Sequence, residues 1–191
     1  MGAIAVIVVV LVLIVISVSF AIYNRLVNLR NMVKESWRDI DTELQRRYDL
    51  IPNLVSTVKG YAAHEREVFD SVTQLRTDAM AEHGPADAQA PREQALGRGV
   101  AQLMAVAESY PNLKADQQFL SLQHELVDTE DRIQVTRRIY NANVRSYDSL
   151  VQTFPSLVIA RRFRFRPVPY FEVEPAVRAA GPPSIDPSGP A

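Results

Sequence analysis

A run of twenty apolar or small residues, from Ala3 to Ile22, constrains this chain more than any other feature. The run reads AIAVIVVVLVLIVISVSFAI and contains no charge, proline or glycine. Twenty helical residues at about 1.5 Å each extend about 30 Å, the thickness of the hydrocarbon core of a bilayer. Fifteen of the twenty are Val, Ile, Leu or Phe, which favour insertion into lipid. We therefore predict a transmembrane anchor over residues 1–22, with residues 3–22 against membrane lipid.

A cleaved signal peptide is the alternative, because Ser17 and Ser19 have the spacing of a cleavage site. No Lys or Arg precedes the run, and its apolar character continues to Ile22, so the sequence favours an uncleaved anchor. The positive-inside rule then predicts a single-pass protein of a cell membrane with a cytoplasmic C-terminal domain. The basic residues on which this rests are Arg25, Arg30, Lys34 and Arg38.

The composition of the remaining chain excludes several classes of function. Twenty-one basic and 22 acidic side chains nearly cancel, so no net field attracts a polyanion and we expect no nucleic-acid partner. The chain has no cysteine. Disulfides, thiolate metal sites and a cysteine nucleophile are therefore excluded.

The apolar pattern of the anchor continues beyond the membrane. Apolar residues from Leu26 to Leu44 recur every three or four positions, which predicts that the first helix extends to about Arg46. Asp49 is a candidate N-cap, and Pro52 suits the first turn of a new helix. The sequence therefore predicts a tight turn over residues 47–49. Trp37, on the apolar stripe, is predicted to lie in the core.

Three further helices are predicted, over about 51–82, 92–109 and 116–154, with the polar residues 84–91 as a connector. Gly60 is predicted to allow close helix approach. The last helix has the heptad-like spacing of a coiled coil. The predicted fold is all-α, a transmembrane helix continuing into an antiparallel up-down four-helix bundle over residues 23–155. About 24 residues of the first helix outside the membrane would face about 38 of the last, so either the last helix overhangs or a boundary is wrong.

Beyond Pro155 the composition changes twice. Residues 156–173 interleave arginine with aromatic rings, and residues 174–191 are rich in Pro, Gly, Ala and Ser, which predicts a disordered tail. In an up-down bundle the last helix returns to the membrane, where basic residues gain from anionic lipid. The alternative is that the rings pack on the bundle while the arginines face water. The candidate lipid contacts are Arg161, Arg162, Phe163, Arg164, Phe165 and Arg166.

Two long segments resemble LemA family proteins. Residues 23–65 contain RRYDLIPNLV (46–55), and residues 110–147 contain TEDRI (129–133). The resemblance covers most of the first 155 residues, but not residues 84–93 or the proline-rich tail. It implies a membrane anchor followed by a bundle of long helices. It implies no reaction, substrate or cofactor.

No catalytic, cofactor-binding or metal-binding residue is predicted. His124 to Asp128 read HELVD, which approaches the zinc motif HExxH, but Asp128 replaces its second histidine. No Glu-x-x-His pair indicates a di-iron centre, and no Walker or dinucleotide glycine motif is present. We therefore expect no cofactor and no small-molecule substrate.

A polar cluster around the first predicted turn is a candidate partner surface, with helix capping and ion pairs as the structural alternative. The favoured function is a non-enzymatic, membrane-anchored scaffold of a bacterial-type cell membrane, with one protein partner. A self-assembling membrane-remodelling protein, which implies homo-oligomers, is the alternative, and a metal-dependent hydrolase is the least favoured. The candidate partner surface comprises Arg46, Arg47, Asp49 and Asn53.

Overall fold

The structure is a computed structural model that describes residues 2–82 and 84–172. All regular secondary structure in that part of the chain is helical, which confirms the all-α prediction. The predicted disordered tail, residues 174–191, lies outside the described residues. The helices are α1 (Gly2–Tyr61), α2 (Arg66–Ala81), α3 (Ala86–Glu108), α4 (Pro111–Lys114), α5 (Gln117–Gln152) and α6 (Ser156–Arg162).

Helix α1 is a single element of 60 residues, and its N-terminal part differs from the rest in which side chains are exposed. From Ile4 to Phe20 its large apolar side chains are exposed, and the Ser19 hydroxyl donates to the carbonyl of Val15 at 2.7 Å. By length and composition this part could span a membrane. Beyond it the same helix buries a stripe at intervals of three, four and seven: Leu26, Val33, Ile40, Leu44, Ile51, Leu54 and Val58.

The predicted turn over residues 47–49 is wrong, because α1 passes through Pro52 without a break. Proline has no N–H, so the carbonyl of Tyr48, four residues earlier, loses its helical donor. The Nε of Arg76, on α2, donates to that carbonyl at 2.7 Å. The chain instead turns over residues 62–65, where α1 has ended.

Helices α1 and α5 form the long antiparallel pair of the fold. Tyr23 to Tyr61 rise about 58 Å and the 36 residues of α5 about 54 Å, so the mismatch expected from the sequence disappears once α1 is extended. Asp116 is the N-cap of α5 and accepts from the backbone N–H groups of Gln118 and Phe119. Three hydrogen bonds join the pair from its far end toward the apolar span: Tyr61 to Asp116 (2.8 Å), Arg47 to Glu130 (2.8 Å) and Asn143 to the Met32 carbonyl (3.5 Å).

Helices α2 and α3 form a shorter antiparallel pair that packs against α1. Residues 86–91 were predicted to be a connector, but they are helical: Pro91 lies inside α3, and Gln89 and Ala90 are buried. The five residues between Pro85 and Pro91 resembled a loop, because the sequence alone did not show which side chains the neighbouring helix covers.

Glycine packing differs from the prediction. A Cβ on Gly60 would meet no atom within 4 Å, so Gly60 permits no close approach. The close approach occurs at Gly99, where a Cβ would lie 2.7 Å from Cδ1 of Leu75. Gly99 therefore lets α3 pack tightly against α2.

Candidate functional site

The chain after α6 forms an extended strap, residues 167–172, bound along α5. The backbone N–H of Val168 donates to Asp148 at 3.2 Å, and the Tyr140 hydroxyl donates to the Pro169 carbonyl at 2.8 Å. Asn141 makes two bonds with the backbone of Phe171, at 3.0 and 3.1 Å. These three polar side chains of α5 thus pair with the strap backbone, as a neighbouring strand would.

The strap completes an aromatic cluster around Trp37. The Phe171 side chain is buried, with its ring centroid 5.7 Å from that of Trp37, and the Tyr140 ring lies 5.3 Å from Trp37. Trp37 was predicted to lie in the core, and it is partly buried against core residues. Burial raises the pKa of Tyr140 to about 12.

Residues 161–166, here called the collar, lie beside the end of the apolar span. Tyr23, the first residue after the predicted anchor, holds the rings of Phe163 and Phe165 at centroid distances of 4.8 and 5.8 Å. Phe165 is half-buried against the core, whereas Phe163 is 54% exposed. The four arginines of the collar, Arg161, Arg162, Arg164 and Arg166, are exposed.

Arg164 adopts an uncommon backbone conformation within the collar, just after α6 ends. Its φ is 58°, in the left-handed region that favours glycine. An arginine there costs about 1 kcal/mol of backbone strain relative to glycine. A long basic side chain is present where the backbone conformation favours glycine.

A buried ionic cluster joins α1, α3 and α5. Arg47, whose side chain is 4% exposed, pairs with Glu93 and with Glu130, the latter at 2.8 Å. Glu93 also accepts from the Tyr48 hydroxyl and from Nε2 of Gln89, the latter at 2.6 Å. Burial raises the pKa of Tyr48, against the opposing charge of Arg47.

This geometry corrects one residue of the candidate partner surface. Arg47 lies on the buried stripe and cannot form part of a surface. Arg46, Asp49 and Asn53 are exposed on one face of α1. Asp49 is not an N-cap, and its carboxylate accepts from Gln45 at 2.9 Å.

Glu93 was missed because it was placed in the first turn of the helix predicted over residues 92–109, directly after the connector, and was assigned no buried partner. A signal for it was present in the sequence. Arg47 stands three residues after Leu44 and four before Ile51, on the apolar stripe, and a buried arginine requires a buried carboxylate.

A groove of about 370 Å³ separates α3 from α5, and we call it the α3–α5 groove. Arg47 and Glu93 lie along it, and Phe171 of the strap also lines it. Its walls are Gln94, Gly97, Arg98 and Ala101 of α3, with Glu130, Ile133, Gln134 and Arg137 of α5.

The HELVD segment lies on an open face of α5. The His124 and Asp128 side chains are 78% and 57% exposed and 4.0 Å apart. Within the described ranges, no third His, Asp or Glu joins them in an arrangement that could hold a metal ion.

The sequence pattern of the LemA family matches residues 36–186 of this chain. The chain belongs to the LemA family. The match extends through residues 84–93 and into the proline-rich tail, so our prediction that these regions carry no resemblance is wrong.

Individual relatives are distant. The chain is 24% identical to the magnetosome protein MamQ of Magnetospirillum gryphiswaldense, over 81% of this chain and 66% of that protein. It is 25% identical, over the same shares, to the magnetosome protein MamQ 2 of Paramagnetospirillum magneticum. It is also 25% identical to protein LemA of Metamycoplasma hominis, over 78% of this chain and 68% of that protein. The chain thus spans about two thirds of the length of these relatives.

Membership of the LemA family assigns no enzymatic activity to any side chain described above. The family description and the names of these relatives mention no reaction. Among the described residues, the features that could serve a function include the collar, the exposed face of α1 and the α3–α5 groove.

Proposed function

We propose that this LemA family chain is a non-enzymatic, single-pass membrane protein whose helical domain holds a protein partner at the cytoplasmic face of a cell membrane. The observation that carries the proposal is the continuity of α1: one 60-residue helix contains both the apolar span and the central stripe of the core. A domain built on the continuation of its own anchor keeps a fixed orientation to the bilayer, which suits a scaffold.

The finer architecture belongs to the same proposal. In this proposal α1, α2, α3 and α5 are the four members of an antiparallel up-down four-helix bundle over residues 23–155. The packing along α1 and α5 is that of a coiled coil. The basic residues after the span, with the four arginines of the collar, support a cytoplasmic orientation.

The partner surface we propose is the exposed face of α1 that carries Arg46, Asp49 and Asn53. Its test uses a photo-crosslinking residue at Asn53 in intact membranes, with the same residue at the exposed Ser146 of α5 as the control. We expect one recurrent partner from position 53 but not from position 146. Arg46→Glu should abolish its recovery without changing the melting temperature of the protein. Recovery of only lipid and further copies of the chain would contradict the scaffold.

A second candidate is a self-assembling membrane-remodelling protein, which the collar favours. Its arginines and the exposed Phe163 ring lie beside Tyr23, at the end of the apolar span. Arginine at an interface gains about 1 kcal/mol per residue from anionic lipid. In this candidate several copies assemble and press their collars on the membrane.

The second candidate is tested with the full chain reconstituted into neutral or anionic vesicles. Arg164→Gly is a suitable variant, because glycine adopts a φ of 58° without strain. The variant therefore removes one positive charge without destabilising the fold. We expect oligomers and altered vesicle shape only with anionic lipid, and less of both in Arg164→Gly. Equal behaviour in both lipids would exclude the lipid role of the collar.

A further inference from the structure

The turn between α5 and α6, residues 153–155 and here called the corner, lies beside the end of the apolar span. Helices α1 and α5 are antiparallel, and Asn143 of α5 donates to the Met32 carbonyl of α1 at 3.5 Å. Nine residues further along α5 is its last residue, Gln152, and nine residues back along α1 is Tyr23. These two residues are therefore level, and the corner that follows Gln152 is level with the end of the span.

The other end of α6 returns to the same level. Phe163, which follows the last residue of α6, packs its ring on Tyr23 and lines a groove with Ile16 and Phe20 of the span. The seven residues of α6 rise only about 10 Å. Helix α6 therefore crosses the end of the domain that is nearest the span.

The outer surface of this end is apolar. Phe154 of the corner is 83% exposed, more than any other large apolar side chain in the part of the chain that the structure describes, the span included. Val158 of α6 is 58% exposed, on the side of the helix opposite to the buried Ser156 and Ala160. A helix that is covered by protein on one side and is apolar on the other suits a second apolar environment.

We propose that Phe154 and Val158 insert into the acyl chains of the bilayer that α1 spans. This contact rests on the membrane anchor proposed above, because the end of the span at Tyr23 sets the acyl chains level with the corner. The exposed side chains of Arg161 and Arg162 follow in the last turn of α6. Their apolar stems can lie along the bilayer while their charged ends reach the lipid phosphates.

The corner then gives the domain a second point of contact with the membrane. A single spanning helix leaves the tilt of its domain open, whereas a second contact away from the axis of α1 fixes that tilt. The contact is apolar, so it needs no anionic lipid. In this it differs from the contact of the collar arginines.

Spin labelling tests the contact in the full chain, which has no native cysteine. A nitroxide is attached to Phe154→Cys in vesicles of neutral phosphatidylcholine. Its collisions are measured with oxygen, which concentrates in lipid, and with a nickel chelate, which stays in water. The controls are Ile14→Cys in the span and Val127→Cys on α5, since both native side chains are 52% exposed. Position 127 lies about 38 Å of helix rise from Gln152.

We expect the ratio of oxygen to nickel collisions at position 154 to be at least about fivefold that at position 127 and to approach that at position 14, because the label lies in hydrocarbon. If position 154 matched position 127 while position 14 reported lipid, the anchor would hold and the second contact would be wrong. If position 14 also reported water, the proposed membrane function itself would fail. Exclusion of both reagents at position 154 would mean that protein covers the corner, and magnetic coupling between labels would identify a second copy of the chain.

A label at Val158→Cys tests the role of Phe154 itself. Phe154→Asp should lower the collision ratio at position 158 about threefold, whereas Phe154→Leu, which stays apolar, should preserve it. Neither variant should change the melting temperature, because the Phe154 side chain is 83% exposed. An unchanged ratio in Phe154→Asp would overturn the insertion of Phe154.

Discussion

At the scale of single residues, Arg47 shows how much a core can depend on one charge. Its guanidinium pairs with Glu93 of α3 and Glu130 of α5, so three helices meet at one side chain. A buried pair of this kind adds little stability over an apolar pair, but a single buried charge without its partner is costly. The cluster therefore acts mainly by fixing how these helices align.

The first prediction concerns the loss of that arginine. Arg47→Leu should lower the free energy of unfolding by about 3–5 kcal/mol, because it leaves the Glu93 carboxylate buried and unpaired. Urea unfolding of the full chain in detergent measures this. Adding Glu93→Gln should recover much of the loss. Arg46→Leu, at a side chain that is 51% exposed, should change stability by less than about 0.5 kcal/mol. Equal losses for the two arginine variants would contradict the assignment.

The second prediction concerns the raised pKa of Tyr140. Burial moves this pKa from 10.0 to about 12, so the unfolded chain releases the proton first. The stability from this group is fully present below pH 10 and is lost as the pH rises toward 12. Tyr140→Phe should be less stable at pH 7, because it loses the bond to Pro169, yet its stability should fall less from pH 10 to 12. Unfolding measured across that range checks this, and equal slopes in both proteins would contradict it.

At the scale of the element, α1 shows why a proline need not end a helix. Pro52 removes the donor for the Tyr48 carbonyl, and Arg76 of α2 replaces it at 2.7 Å. The sequence around Asp49 and Pro52 has the local signals of a helix start. The replacement donor is 24 residues beyond the proline, so no local signal predicted it.

The third prediction is a coupling between Pro52 and Arg76. Arg76→Leu should destabilise the chain by about 1–3 kcal/mol, because the buried Tyr48 carbonyl loses its donor. In a Pro52→Ala background the helix supplies its own N–H, so the cost of Arg76→Leu should fall by about 1 kcal/mol. Thermal unfolding of the four proteins gives the coupling energy. A coupling energy of zero would mean that Arg76 does not act on this carbonyl.

Helices were predictable where apolar residues recur at helical spacing in the sequence. The stripe of α1, the start of α5 at Asp116 and the all-α fold follow from apolar spacing and capping. The start of α3 at Ala86 does not, because its buried residues are small or polar. Packing of the rings of residues 156–173 on the bundle was one of two stated alternatives, and Phe165 and Tyr170 do pack against the core. The backbone path of the strap was not predictable, since it is held by side-chain bonds from Asp148, Tyr140 and Asn141, which have no period in the sequence.

At the scale of the whole molecule, the strap and the α2–α3 pair pack against different parts of α1. Pro85 and Ala86, between α2 and α3, border the same groove as Val168 and Pro169 of the strap, beside Trp37. The helical pair therefore covers the far part of α1, and the collar and strap cover the part nearest the span. Collar and span are thus placed together by the fold itself.

The last prediction follows from that placement and uses the one native tryptophan, Trp37. Trp37 lies fourteen residues beyond Tyr23, or about 21 Å along α1, whereas Phe163 touches Tyr23 itself. In vesicles of lipid with brominated acyl chains, Trp37 fluorescence should be quenched weakly. In the double variant Trp37→Phe and Phe163→Trp, the tryptophan fluorescence should be quenched at least twice as strongly. A Gly-Ser linker inserted between Ile22 and Tyr23 should remove the difference, because it uncouples the collar from the span. Equal quenching at both positions without the linker would show that the collar does not lie at the membrane surface.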